Sequence, residues 1–103
     1  MTFAGGSEVV ALVVNESDNV AVIFGDARAG ETAWAIDQHG NQTAYVLRDD
    51  IPYGHKFAVR AIHKGEKVLK YGEALGVASS EIAIGEHVHV QNLESSRGRG
   101  DLG

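Results

Sequence analysis

The sequence His87-Val88-His89 carries the clearest chemistry in this chain, because in an extended strand residues i and i+2 share a face and lie roughly 6.5–7 Å apart. Two imidazoles projected to one side can take adjacent positions on a single cation. Gln91 falls on that face as well, and Val88 and Val90 fall on the other. Two ligands do not complete a site, so a third donor is required from His55, His63, an acid such as Glu73, or another polypeptide. The same spacing also suits two histidines on the polar side of a strand, and HxH alone does not separate the two.

A second group of reactive residues lies upstream. Gly54-His55-Lys56 follows a Pro-Tyr turn and sets an imidazole beside an ammonium at a loop tip. Lys56, Arg60, Lys64, Lys67 and Lys70 face only Glu66 across that stretch, a field suited to a carboxylate or sulfonate. A solvated charge set balancing the acidic N-terminal half is the alternative. Residues 1–51 hold eight acids against Arg28 and Arg48, whereas residues 52–103 hold six against seven bases. This polarity points to a small anionic ligand. With 14 acids, 9 basic residues and only seven aromatics, no broad basic face is available for nucleic acid.

The elements that must position these groups are short strands. β-Branched runs at 9–14, 19–24, 32–36, 42–47, 57–62, 67–71 and 87–91 alternate with turn residues, and 13 glycines are spread among them. No helical periodicity persists for 12 residues, so any helix is a single turn, near 26–29 or 79–82. The fold expected is all-β, with residues 1–7 a flexible lead, 8–94 one domain and 95–103 a flexible polar tail. A chain of 103 residues with 44% hydrophobic content can hold one modest core. It has no cysteine, which removes disulfides and thiolate chemistry. The N-terminal apolar run Glu8-Val-Val-Ala-Leu-Val-Val14 lacks a basic lead and is too short for a membrane span, so a cytoplasmic protein without membrane contact is expected.

Several motifs fail on inspection. The glycines never form GxGxxG or GxxxxGK[ST], Ser79-Ser80-Glu81 lacks a nucleophile-elbow context, and Arg99-Gly100-Asp101 has little weight as an adhesion signal in such a chain.

The run Gly54-His-Lys-Phe-Ala58, then Ile62-His-Lys-Gly65 through Val68 to Lys70-Tyr-Gly72, then Gly76 through Ile82, Gly85-Glu86 and His87-Val-His89 to Asn92, resembles the N-terminal domain of the altronate dehydratase family. The resemblance covers about residues 18–102, including the tail. It implies an SAF domain, a compact β-clip fold also found in sialic acid synthases and type III antifreeze proteins, in agreement with the all-β reading.

The family's chemistry is β-elimination from a hydroxy acid: loss of water from aldonic or aldaric acids, or of sulfite from sulfolactate, with a divalent metal, usually iron (Fe2+). Related lyases carry this domain as a separate small subunit, and the chain stops where a large domain would begin. The resemblance thus implies a small subunit of a hydro-lyase working with a large catalytic lyase subunit, and it leaves room for a homo-oligomer. On that reading His55 is catalytic, Lys56, Lys70 and Tyr71 bind a small anionic hydroxy acid, and His87 and His89 hold metal. Relatives often carry histidine where this chain has Gln91. The alternative is a stand-alone SAF module that binds a sugar acid or a partner protein without catalysis.

Overall fold

The computed structural model describes residues 8–95, and the expectations for the lead at 1–7 and for the tail from 96 onward lie outside them. Nine strands follow in order: β1 (Glu8–Leu12), β2 (Val20–Phe24), β3 (Thr32–Ile36), β4 (Gln42–Val46), β5 (Lys56–Ala58), β6 (Lys67–Lys70), β7 (Glu73–Ala78), β8 (His87–Val88) and β9 (Leu93–Ser95). They form a six-stranded sheet, order β4-β3-β1-β2-β5-β8, and a three-stranded sheet, order β6-β7-β9. The β1–β3 pair is parallel and every other pair antiparallel. The domain is therefore all-β.

The single-turn helices expected near 26–29 and 79–82 do not form. Ala27 exchanges both backbone hydrogen bonds with Ile51, and Ile82 does so with Ile62. Amides and carbonyls committed across the molecule are no longer available for local helical bonding. The extended run 57–62 likewise ends at Ala58, since Val59 turns its amide to the Asn19 carbonyl and Ile62 joins the bridge to Ile82. That break explains the imperfect alternation there, with Phe57, Ala58 and Val59 all buried. β9 reaches Ser95, the first residue assigned to the tail.

Two turn-and-bridge units repeat almost identically. In the first, Gly30 donates to the Leu47 carbonyl and Gly54 to that of Ile23, around the Ala27–Ile51 bridge. In the second, Gly65 donates to Ala78 and Gly85 to Ala58, around the Ile62–Ile82 bridge. The glycines sit at φ 93°, 81°, 89° and 90°, a region open to glycine at little steric cost. The residues bonded to them, Leu47, Ile23, Ala78 and Ala58, are buried. Ala27, Ile51, Leu47, Ile23 and Phe57 contribute to one core cluster, and Ile62, Ile82, Ala58, Ala78, Val68 and Val88 to a second.

β7 and β9 give weak sequence signals, Glu-Ala-Leu-Gly-Val-Ala and Leu-Glu-Ser, and form because they pair. Gly76 makes that pairing tight: a Cβ there would lie 2.0 Å from the Glu94 carbonyl oxygen. Gly76→Ala must therefore push β9 off the sheet, and a loss of about 2 kcal/mol in urea denaturation is expected.

Candidate functional site

β8 is an edge strand whose register sets the geometry of the site. Phe57 pairs with His87 and Lys56 with Val88. Directly opposed residues share a face, so His87 emerges on the side of Phe57 and the first core cluster, while Lys56 emerges with Val88 and Ala58 on the side of the second. His55 lies just before β5, at the end of the Pro52-Tyr53-Gly54 turn.

These connections bring His55, His87 and His89 together. Their candidate ligand atoms all lie within 4.8 Å of one another, and all three side chains are half-buried. His55 Nδ1 is 2.9 Å from His87 Nε2, a separation that requires one shared proton. The three rings stack, with centroids 5.2 Å apart for His55–His87, 4.4 Å for His55–His89 and 5.4 Å for His87–His89. His55, expected as a catalytic group, thus stands inside the metal-type cluster with His87 and His89. His63 and Glu73 are elsewhere: His63 is bonded to Glu81, and Glu73 is an exposed residue of β7.

The backbone around the pair departs from a five-residue strand. After Val88 the chain reverses, because Asn92 donates its amide to the His89 carbonyl and accepts the His89 amide on Oδ1 at 3.0 Å. Val90, expected to share a face with the buried Val88, is therefore 82% exposed. The histidines still face one way, their rings inclined by only 10°. Asn92 Nδ2 also donates to the His87 carbonyl at 2.8 Å, so this one amide ties both histidines. Gln91 Nε2 lies 3.3 Å from His87 Nδ1 and donates to the His87 carbonyl, which makes it a partner of that ring. Asp49 accepts the His87 backbone amide at 2.9 Å. Neither Asp49 nor Asn92 was singled out by residue type or spacing, although an Asn three residues after His89 is a turn signal.

Electrostatics favour the neutral forms of His87 and His89. Burial, followed by the neighbouring His55 and His89, holds the His87 pKa below its ordinary value against the opposing pull of Asp49. Burial, then His55 and Lys56, does the same for His89. Neutral imidazoles have lone pairs for a cation, and three imidazole nitrogens are a donor set suited to zinc, iron or similar divalent metals. Ligand atoms on one such ion stand roughly 3–4 Å apart, so the observed spread closes with small ring rotations. The residues present fit a divalent metal.

Lys56, Lys70 and Tyr71 form a neighbouring group. The Lys56 pKa is lowered by burial and then by the charge of Lys70, so the two ammonium groups are close in space. Lys70 Nζ is 4.9 Å from the Tyr71 ring centroid, in cation–π range. Tyr71 has φ 54°, the one non-glycine positive φ among the described residues. Asp18, 2% exposed, holds this turn: its carboxylate accepts the amides of Tyr71 (2.9 Å), Gly72 (2.8 Å) and Asn15 (3.1 Å).

His63 serves as a contrast. It is exposed, and its hydrogen bond to Glu81, together with the charges of Glu81 and Glu66, raises its pKa above the ordinary value. The stability this pairing contributes is full below the unfolded-state value and is lost as pH rises through the raised folded value. Glu81→Gln is expected to return the His63 midpoint towards about 6.5 in an NMR titration, whereas an unmoved midpoint would remove Glu81 as the cause.

Among the described residues, no helix is long and apolar enough to cross a membrane. The chain is 43% identical over 83 residues to the altronate dehydratase of Escherichia coli (strain K12), covering 81% of this chain and 16% of that protein. It is 35% identical over 83 residues to that of Bacillus subtilis (strain 168), with the same coverage. It is also 35% identical over 92 residues to the (2R)-sulfolactate sulfo-lyase subunit alpha of Chromohalobacter salexigens, covering 85% of this chain and 97% of that subunit. The chain thus spans a small part of the dehydratases and nearly all of the lyase subunit. Because residues 9–96 match the model of the altronate/galactarate dehydratase SAF domain, the chain belongs to that family of SAF domains.

Proposed function

We propose that this chain is the small subunit of a hydro-lyase-like enzyme, and that His55, His87 and His89 hold a divalent metal, Fe2+ by family resemblance, at a site completed by a large catalytic subunit. The observation that carries the reading is the convergence of the three imidazoles within 4.8 Å on an edge strand, with no carboxylate in the cluster. Three neutral ligands leave coordination positions and charge to be supplied by a partner or a substrate. The near full-length correspondence with a lyase subunit supports a separately encoded large partner.

The reaction fitting this arrangement is β-elimination from a sugar acid or related hydroxy acid. A proton leaves the carbon next to the carboxylate, hydroxide or sulfite leaves the next carbon, and a double bond forms between them. A bound divalent cation supplies Lewis acidity to a substrate oxygen. The imidazoles bind that cation, and Asp49, Gln91 and Asn92 hold the His87 and His89 segment in place. Lys56 and Lys70 provide the positive field for the substrate carboxylate, with Tyr71 beside Lys70. The base that removes the proton belongs to the large subunit.

The test is capture of this chain from its native lysate, followed by an elimination assay of the eluate with added Fe2+ on aldonic, aldaric and sulfo acids. Co-purification of a large subunit with keto-acid or sulfite release is the expected result. Recovery of the chain alone, inactive on every acid, would replace this reading with a stand-alone ligand-binding module.

A further inference from the structure

Six turns of the described chain close with a backbone hydrogen bond from the fourth residue's N–H to the first residue's carbonyl and carry a side chain long enough to reach back: 15–18, 28–31, 52–55, 63–66, 83–86 and 89–92. In five of them that side chain accepts the first residue's N–H. Asp18 accepts from Asn15 at 3.1 Å, Glu31 from Arg28 at 2.6 Å and Glu66 from His63 at 2.6 Å. Glu86 accepts from Ala83 at 2.5 Å and Asn92 from His89 at 3.0 Å. The sixth begins with Pro52, which has no N–H, and ends with His55, whose backbone makes the usual bond to the Pro52 carbonyl at 3.0 Å. By position, His55 takes the place that glutamate holds in the three other turns of the two repeated units.

We infer that Pro52 is a positioning residue for the histidine cluster: by withholding the N–H that a side chain at position 55 would otherwise accept, it leaves the His55 imidazole to meet His87. The reach of the competing bond is established within the chain. Nδ1 of a histidine stands as many bonds from its backbone as Oδ1 of asparagine, and Asn92 Oδ1 makes this contact. An N–H at position 52 would thus compete for His55 Nδ1, the atom now 2.9 Å from His87 Nε2. The functional meaning of this role rests on the proposed three-histidine site, but the geometric claim is testable without metal.

The experiment compares wild type with Pro52→Ala as 15N-labelled, metal-free protein, reading the imidazole nitrogens by long-range 1H–15N correlation, followed by zinc titration. In Pro52→Ala the ring-nitrogen signals of His55 and His87 are expected to move, with zinc affinity lower by about 10-fold, the scale of losing an outer-sphere partner. If the proline merely stiffened the loop, Pro52→Ala would lower the melting temperature and leave these ring signals in place. Unmoved ring signals would overturn the assignment, as would moved signals with unchanged zinc affinity. Wild type that binds no zinc would sink the metal reading, and the ring-nitrogen comparison would then decide the role of Pro52 by itself. If Pro52→Ala does not fold, melting of His55→Glu is compared with that of Pro52→Ala/His55→Glu, which restores the glutamate-closed turn. The double variant should melt higher, and an equal or lower midpoint overturns the inference.

Discussion

Replacing His87 and His89 together by Gln is expected to weaken divalent-metal binding by more than about 100-fold and to abolish elimination by the reconstituted enzyme, while the fold survives. Outer-sphere partners alone are worth about 10–100-fold in metal affinity, so the loss of two direct ligands exceeds that range. The fold survives because both rings are half-buried at an edge strand, while Val88 between them, 0% exposed, keeps the core contact. Isothermal titration with Zn2+ and thermal melting read the two halves of this result separately. Full activity in the double variant would remove both histidines from the site. The pH dependence has a definite sign: protons compete with metal for the same lone pairs, and the His87 and His89 pKa values are lowered. Binding should therefore hold steady near neutrality and fall only as pH drops below the ordinary imidazole range, about 6.5. A decline already above neutral pH would contradict neutral imidazoles.

The second large effect concerns stability. Asp18→Ala should cost about 3–5 kcal/mol in urea denaturation, since it strips a charged acceptor from three amides at once and leaves those amides poorly solvated. The bonds to Tyr71 and Gly72 matter most, because they hold the β6–β7 turn with Tyr71 at φ 54°, a conformation costing roughly 1–2 kcal/mol for a residue with a Cβ. Asp18→Asn keeps one acceptor oxygen and should fall between wild type and alanine. Equal stability of all three proteins would show that the turn holds without the carboxylate. Because Lys70 and Tyr71 ride on this hairpin, Asp18→Ala in the assembled enzyme should also raise the Michaelis constant for an anionic substrate by at least the effect of Lys70→Ala.

The all-β architecture, most of the strands and the glycine turns were legible in the chain because their causes are local. β-Branched runs favour extended backbone, and glycine supplies the positive φ the turns need. The orientation of His87 and His89 followed from strand periodicity even though the strand is only two residues long, since the Asn92 turn keeps both rings on one side. The family signature of residues 54–92 led to the same domain that the comparisons identify.

What remained hidden was which distant segments meet, His55 being only one of several candidate third donors for His87 and His89. His55 is 32 positions from His87, and only the β5–β8 pairing at the edge of the sheet makes them neighbours. Lys56, next to His55 in sequence, is placed by the same pairing where Lys70 lowers its pKa and where its own charge lowers those of His87 and His89, relations that no local spacing shows. β7 and β9 lacked intrinsic strand character and were set by their partners, with Gly76 permitting the close approach. By itself the sequence determined the local conformations and the chemical types available. Only the tertiary structure decided which of those groups meet, because register and pairing are long-range hydrogen-bonding choices that no local preference encodes.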